Sequence, residues 1–298
     1  MLRIVDLFCG IGGVAEAVRN LEMLQVVAAI DIDRASNLVY HLNHGIQPEC
    51  QTLESIPELP PADLLWLSPP CQPYTRRGLR NAERDPRSNA LAHLIRCIEH
   101  NAPNALILEN VPEFENSQHH RELEWVLQSQ GHATSSEILC PTQWGVPMRR
   151  RRFYLRAVKG LKKITPVSPP DTSSVLNKHL DESAWDDPTL KVPRITQQRF
   201  SQAMDIVAQD DEQAVAACFT SAYGDSPVRA GSYLKCNHRR QIRRFSPREV
   251  ASLMGYHDQF QWPAELSNRR RYRMLGNALA VPITHTLLKQ THSMMIDR

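Results

Sequence analysis

The opening thirty residues constrain the fold of this chain more than any other stretch. The apolar run Ile4–Phe8 predicts a strand, Val14–Met23 an amphipathic helix, and Val26–Ile30 a second strand. Glycines at positions 10, 12 and 13 separate the first strand from the helix. Because strand, turn, helix and strand in this order form a βαβ unit, we predict an α/β fold with a parallel sheet.

The same alternation continues to about residue 160. The further predicted elements are helices at Ala35–Asn43, Asn89–His100 and Glu122–Ser129 and strands at Leu64–Leu67, Ala105–Leu108 and Phe153–Val158. The strands are almost continuously apolar, which is typical of a sheet covered by helices on both faces.

The alternation stops after Lys163. The interval Thr165–Pro193 contains five prolines and predicts irregular structure, and a helix is predicted at Gln197–Gln209. The capping-box pattern that starts at Ser246 predicts a helix start, and Ala278–Met295 has helical spacing. We therefore predict a catalytic domain at 1–160, a small irregular domain at 161–245, and a C-terminal segment at 246–298 that packs back on the large domain.

Composition narrows the class of protein. The 298 residues include seven cysteines, none of them in a CxxC pair, which argues against both a disulfide framework and a zinc site. There is no run of eighteen apolar residues and no basic-then-apolar leader, so we expect a cytoplasmic protein without a membrane span. Residues 1–120 hold nine Lys/Arg against fifteen Asp/Glu, so the remainder of this +3 chain is basic and is the better candidate for contact with a polyanion.

A cysteine between prolines follows the apolar run that ends at Leu67. The segment Ser68–Pro73 reads as a rigid loop at the end of a buried strand, with Cys71 held inside it. A fixed cysteine there is a candidate covalent nucleophile. The alternative is a small buried hydrophobe without chemistry, which is the commoner role of an intracellular cysteine.

The glycine turn after the first strand is a candidate cofactor site. Its glycines allow close approach of a ligand to the backbone, although the spacing is not GxGxxG. Asp31, at the end of the second strand, is placed to accept the hydroxyls of a ribose. Together they indicate an adenosine-containing cofactor; the alternative is a glycine turn that binds nothing.

Charged residues mark two further strand ends. Glu109 follows the strand at Ala105–Leu108 and is either a structural acid or a proton handler. Arg150 and Arg152 alternate with two other arginines at the start of a strand, so one pair should point inward, where an arginine usually holds a phosphate or carboxylate.

Six motifs in order resemble those of the cytosine-C5 methyltransferase family over nearly the entire chain. They are DLFCGIGG (6–13), SPPCQP (68–73), ENV (109–111), RRRRF (149–153), RRFSPREVASLMGY (243–256) and RMLGNALAVP (273–282). The resemblance implies a Rossmann-like S-adenosylmethionine-dependent methyltransferase sheet with a small target-recognition domain.

The resemblance also implies roles for individual residues. Cys71 would be the nucleophile, Glu109 would act on N3 of the cytosine, and Arg150 and Arg152 would position the reacting groups. The S-adenosylmethionine site would comprise Phe8, Cys9, Gly10, Ile11, Gly12, Gly13, Asp31, Ile32, Leu53, Pro70, Asn277 and Val281. Two departures stand out: Met148 replaces a Gln found in many members, and no aspartate occurs at 51–53, near Leu53.

Two features resemble the tRNA-methylating branch of the family. One is the catalytic loop SPPCQPYTRRG (68–78), and the other is CFT followed by Tyr-Gly (218–224). The implied substrate contacts are Gln72, Thr75, Cys218, Phe219, Thr220, Tyr223, Arg240 and Arg244. We expect a monomer acting on an anticodon-loop cytosine of tRNA-Asp or tRNA-Glu, without a metal.

Three alternatives to that reading stay open. CFT could be a buried apolar tripeptide, the substrate could be DNA read by a reduced recognition domain, and the chain could be a catalytically dead nucleic-acid-binding relative. The presence of both Cys71 and Glu109 argues against the last.

Overall fold

A computed structural model describes residues 1–71, 89–237, 239 and 241–297 of the chain. The chain forms two compact units. The first comprises Met1–Leu139, Arg151–Ser168 and Thr284–Arg298, and the second comprises Cys140–Arg150 and Pro169–Ile283. The predicted domain boundaries stay predictions, and these units divide the chain elsewhere, since most of the segment after residue 245 groups with the second unit.

The first unit is built on a six-stranded sheet with the order β2-β1-β3-β4-β6-β5. Its strands are β1 (Leu2–Leu7), β2 (Leu24–Ile30), β3 (Leu64–Leu67), β4 (Ala105–Asn110), β5 (His132–Leu139) and β6 (Arg152–Lys159). The helices are α1 (Gly13–Val18), α2 (Arg34–His44), α3 (Asn89–His100) and α4 (Gln118–Ser129). Every residue of β3 and β4 is buried, which agrees with their continuous apolar sequence.

The sheet is parallel on one side only. β1 pairs in parallel with β2 and β3, and β3 pairs in parallel with β4, as predicted. β6 is antiparallel to both β4 and β5, so the predicted parallel arrangement holds from β2 to β4 and the sheet as a whole is mixed. β5 was not predicted, because this edge strand is mostly half-exposed and carries no apolar run.

One helix of the first unit is shorter than its sequence pattern indicates. α1 ends at Val18 instead of Met23, and tight backbone turns from Val18 to Leu21 and from Leu21 to Leu24 lead directly into β2. All six residues of α1 are buried, so its outline is set by packing in the unit and not by an amphipathic pattern.

The second unit holds a small sheet of the order β7-β8-β9. Its elements are β7 (Asp205–Ala208), β8 (Ser232–Cys236), β9 (Gln241–Arg244), α5 (Arg194–Phe200), α6 (Pro247–Leu253) and α7 (Asn268–Asn277); α8 (Val281–Ile296) runs from this unit into the first. The capping box at Ser246 is confirmed, since Ser246 and Glu249 exchange side chain to backbone hydrogen bonds. The helix predicted at Gln197–Gln209 is wrong in its second half, where β7 pairs with β8. In the described part of the chain, no helix is both long and apolar enough to cross a membrane.

Candidate active site

The loop that carries Cys71 leaves the sheet at the end of β3. Ser68 donates its backbone N–H to the carbonyl of Leu7 at 3.2 Å, and its hydroxyl accepts the indole N–H of Trp66 at 2.8 Å. Cys71 is half-buried and packs against the apolar core. The start of the loop is therefore held by hydrogen bonds to its own strand, β3, and to the neighbouring strand, β1.

A buried amide ties this loop to the neighbouring strand. Asn110, 1% exposed at the end of β4, donates from Nδ2 to the carbonyl of Pro69 at 3.1 Å. Its Oδ1 accepts the backbone N–H of Val111 at 2.8 Å. Asn110 was given no role from sequence, although its place directly after Glu109 was the available signal. The amide positions the loop two residues before Cys71 relative to β4.

Glu109 lies beside an arginine of the next strand. The Nε atom of Arg152 is 3.2 Å from Oε1 of Glu109, and the two side chains are 14% and 10% exposed. Because β3 and β4 are parallel neighbours, the Cys71 loop after β3 and Glu109, the penultimate residue of β4, lie at the carboxyl ends of adjacent strands. The structure therefore brings Cys71, Glu109 and Arg152 to the same edge of one sheet.

Arg150 has different partners within the second unit. The alternation predicted for the arginine run is confirmed, since Arg149 and Arg151 are exposed while Arg150 is 2% exposed and Arg152 half-buried. Nη1 of Arg150 donates to the carbonyl of Phe219 at 3.2 Å. Its Nη2 donates to the carbonyls of Gly276 and Ala278 at 3.1 and 2.7 Å.

These contacts bear on the role expected of Arg150. Arg150 donates to three backbone carbonyls, whereas an inward arginine in a pocket usually holds a phosphate or carboxylate. The nearby departure at Met148 is accommodated by burial: the side chain is 0% exposed and its backbone forms a bridge to Ala216. A direct contact between Arg150 and the substrate stays a prediction.

The glycine turn adopts the backbone conformation that its sequence suggests. Gly10 and Gly12 have φ values of 52° and 89°, in the left-handed region that glycine enters without strain. The preceding Phe8, which is not a glycine, also has a positive φ, of 59°. No atom lies within 4 Å of where a Cβ of Gly10 would be, so open space adjoins the turn. The side chains of Cys9 and Ile11 are 6% and 2% exposed, which leaves their backbone as the part available to a ligand.

The end of β2 meets the same turn. Asp31 accepts the N–H of Gly10 at 2.9 Å through one carboxylate oxygen and that of Asp33 at 2.8 Å through the other. Each oxygen has a second lone pair, so the carboxylate retains the capacity to accept ribose hydroxyls. Ile32, expected against the adenine, is 65% exposed, whereas Leu53 is only 3% exposed in the apolar core. Leu53 packs in the core, and its contact with the cofactor stays a prediction.

Acidic groups cluster behind the turn. Asp6 is 1% exposed, and burial, reinforced by the charge of Asp31, holds its pKa well above the usual range. Burial also raises the pKa of Asp31, although the N–H groups of Asp33 and Gly10 oppose that rise. The pKa of the Cys9 thiol is raised by burial and then by both carboxylates, which favours its protonated form.

The CFT segment is only partly available to a substrate. Phe219 is 2% and Tyr223 1% exposed, and their rings meet edge to face with centroids 4.9 Å apart. The hydroxyl of Tyr223 donates to the carbonyl of Ser232 at 2.7 Å and accepts the N–H of Phe245 at 2.9 Å. Both rings are buried in the second unit, as the alternative of a buried apolar tripeptide expects for Phe219, and their role as substrate contacts stays a prediction. Cys218 and Thr220 on either side of Phe219 are half-exposed and keep that role as a prediction.

The other candidate residues divide between the units and the undescribed positions. Asn277 is exposed and Val281 7% exposed, and both lie in the second unit with the half-buried Arg244. Pro70 is exposed in the first unit. Gln72, Thr75 and Arg240 lie outside the described residues. No three His, Cys, Asp or Glu side chains among the described residues are placed to hold a metal ion.

Comparison with known proteins gives consistent matches over the full length. The profile of a family described as C-5 cytosine-specific DNA methylase matches residues 2–293. A tRNA (cytosine(38)-C(5))-methyltransferase of Schizosaccharomyces pombe is 30% identical over 318 residues, which cover 96% of this chain and 96% of the relative.

Solved structures match as completely. The crystal structure of the S. pombe Dnmt2 methyltransferase superposes with a TM-score of 0.83 at 28% identity, covering 100% of this chain and 99% of that one. The Entamoeba histolytica methyltransferase EhMeth gives a TM-score of 0.88 at 23% identity over 99% of both chains, a likeness that concerns the fold alone.

Proposed function

We propose that this chain, which belongs to the C-5 cytosine-specific DNA methylase family, methylates C5 of an anticodon-loop cytosine in tRNA, at the position numbered 38 in its named relative. The family match confirms the resemblance inferred from the six motifs and makes the chain a cytosine-C5 methyltransferase that uses S-adenosyl-L-methionine. The solved structures confirm the methyltransferase α/β fold.

One observation carries the proposed chemistry: Cys71 and Glu109 lie at the carboxyl ends of the neighbouring parallel strands β3 and β4. The Cys71 thiolate adds to C6 of the cytosine, and Glu109, held by Arg152, relieves the charge that develops at N3. The activated C5 accepts the methyl group. Loss of the C5 proton and cleavage of the carbon–sulfur bond then return Cys71 to its starting state.

The first unit offers a fitting site for the cofactor. Asp31 retains lone pairs for the ribose hydroxyls, the exposed Ile32 offers an apolar surface for the adenine, and open space adjoins Gly10. When bound, S-adenosyl-L-methionine supplies an electrophilic methyl group and is left as S-adenosyl-L-homocysteine. Asn277 and Val281, to which the resemblance gives a cofactor role, stay predictions.

Several observations support tRNA as the substrate. The S. pombe relative at 30% identity is named for tRNA cytosine 38, and it matches this chain over 96% of each. A cytosine in an RNA loop is unpaired or easily splayed out, so its extrusion costs less than extrusion from a duplex. We further propose tRNA-Asp or tRNA-Glu as the acceptor, a cytoplasmic location and a monomeric enzyme.

DNA is the alternative substrate. The family to which the chain belongs is described as acting on DNA, and the same nucleophile and acid would serve a cytosine in either polymer. A DNA substrate would have to be read by the second unit, whose continuous part spans only Pro169–Ile283.

Substitution of the nucleophile tests the proposed chemistry. Cys71→Ala should abolish methyl transfer to tRNA, because no group remains to add to C6, while the affinity for S-adenosyl-L-methionine stays within a few-fold of wild type. Methyl incorporation and calorimetric cofactor binding measure the two effects. Cys97→Ala, which removes a half-buried thiol of α3 in the same unit, is the matched control. Near-normal turnover in the Cys71 variant would remove the covalent mechanism.

A further inference from the structure

The second unit contains a cleft of about 340 Å³, a size typical of small-ligand pockets. Residues 178–182 contribute part of its lining, and α6 contributes Arg248 and Ser252. The loop after α6 contributes Tyr256, Phe260 and Trp262. None of the residue roles inferred above from the six motifs accounts for this combination of aromatic and charged side chains.

The aromatic side chains of the cleft meet edge to face. The ring centroids of Tyr256 and Phe260 are 4.7 Å apart, and those of Phe260 and Trp262 are 5.4 Å apart at an interplanar angle of 73°. Trp262 ends this series, is half-exposed, and has no other ring contact and no hydrogen bond from its indole N–H within the described residues. Part of this half-exposed indole is therefore open to contact with a ligand in the cleft.

Two cations in the cleft form no side-chain hydrogen bond with the described residues. The exposed side chains of Lys178 and Arg248 make neither a hydrogen bond nor an ion pair with any described residue. By contrast, the nearby Arg243 is 1% exposed and forms two hydrogen bonds of 2.7 Å with Glu249. The hydrogen-bond donors of Lys178 and Arg248 thus remain available to a ligand, although Arg248 also interacts electrostatically with Asp181, whereas the Glu249 carboxylate is already paired with Arg243.

Hydrogen-bond acceptors accompany these cations. Asp258 is exposed and makes no side-chain hydrogen bond among the described residues, and Asp181 lies on the same cleft. His179 contributes a neutral wall, because its two ring nitrogens contact the Ser174 and Ser252 hydroxyls at 3.0 Å and burial lowers its pKa. The carboxylates would repel a free anion, so the ligand must present donors as well as negative charge.

We propose that this cleft binds an unpaired nucleotide of the RNA substrate other than the target cytosine. The base stacks on Trp262, its amino or imino donors face Asp258, and its phosphate is held by Arg248 and Lys178. In a nucleotide, the sugar separates the negative phosphate from the hydrogen-bond donors of the base. The cleft likewise has cations and carboxylates at separate positions around an aromatic surface. The inference rests on the proposed tRNA substrate.

Trp262→Ala tests the stacking surface directly. Its Kd for tRNA should rise about 5- to 150-fold, the usual loss for one base–aromatic stack, and Trp262→Phe should restore most of the affinity. Trp125→Ala, which removes a 63% exposed tryptophan of the first unit, should leave the Kd unchanged. Fluorescence anisotropy with labelled tRNA at fixed salt measures these values, and cofactor affinity and melting temperature check that each variant is folded.

Kinetics and salt dependence separate a binding role from a structural one. Trp262→Ala should raise KM for tRNA with kcat nearly unchanged, and Arg248→Gln should reduce the slope of log Kd against log salt by about 1. A folded Trp262→Ala protein with wild-type Kd and KM overturns the inference, as does a loss of affinity for duplex DNA alone. Absence of tRNA methylation by the wild-type enzyme would instead overturn the proposed function.

Discussion

The carboxyl group of Asp6 lies almost fully buried at the carboxyl end of β1, close enough to Asp31 for their charges to interact. Its Oδ2 atom has no hydrogen-bond partner among the described residues. An ionised carboxylate in such a place is costly, so the side chain retains its proton to higher pH than an exposed aspartate. This residue therefore links the stability of the cofactor turn to pH.

The consequence of that shift has a defined sign. Below the ordinary aspartate pKa of about 3.9, the folded and unfolded chains both hold the proton and Asp6 causes no pH dependence. Between that value and the raised folded pKa, only the unfolded chain releases it, so the free energy of unfolding falls by up to about 1.4 kcal/mol per pH unit. Asp6→Asn should flatten this fall.

Thermal melting from pH 4 to pH 8 measures that difference. The melting temperature of Asp6→Asn should gain on wild type as pH rises, whereas Asp171→Asn, at an exposed position, should follow the wild-type curve. Parallel curves for wild type and Asp6→Asn would contradict a raised pKa at this carboxyl.

At the scale of elements, the packing of α7 depends on a glycine. A Cβ on Gly276 would lie 2.0 Å from the backbone nitrogen of Ser221 and 2.3 Å from the carbonyl carbon of Thr220. The carbonyl of Gly276 also accepts a hydrogen bond from the buried Arg150, which holds the carbonyl of Phe219 as well. Three separate motifs are thus joined at one point inside the second unit.

Gly276→Ala should therefore destabilise the second unit. Overpacking of this kind costs about 1 to 3 kcal/mol, and each kcal/mol lowers the melting temperature by about 2 to 4 °C in a protein of this size class. Arg273→Ala, at an exposed position of the same helix, is the control for a change in α7 that leaves its packing against the CFT segment intact. Equal melting temperatures for Gly276→Ala and wild type would mean that the CFT segment can move away without cost.

Elements with a simple pattern could be predicted from sequence, and the rest could not for identifiable reasons. Leu64–Leu67 and Ala105–Leu108 were predictable because both strands are apolar throughout. β5 was missed because an edge strand needs no apolar run. β7 was taken for helix because Asp205–Ala208 becomes a strand only by pairing with β8, a contact that local sequence does not encode.

The candidate site divides along the same line. Cys71 and Glu109 were identifiable because each follows an apolar strand, and the capping box at Ser246 was identifiable from residue types alone. The burial of Tyr223 and Leu53 was not, because it depends on neighbours distant in the chain, whereas burial of Phe219 was one of the alternatives for the CFT segment. A motif identifies the segment that matters and leaves open which of its side chains reach a ligand.

At the scale of the whole molecule, charge is divided unevenly along the chain. Residues 1–120 have fifteen Asp/Glu against nine Lys/Arg, although the whole chain carries +3. The proposed nucleophile, the proposed acid and the acidic cluster behind the glycine turn all lie in this acidic part, so the remainder of the chain is the better candidate to attract a nucleic acid.

The most direct test of the proposed substrate is methyl incorporation from labelled S-adenosyl-L-methionine into total tRNA and into genomic DNA, measured side by side with the same enzyme. We expect label in tRNA, and we expect a transcript with uridine in place of cytosine 38 to accept none. Label in DNA alone, or undiminished label in the altered transcript, would contradict the proposed function.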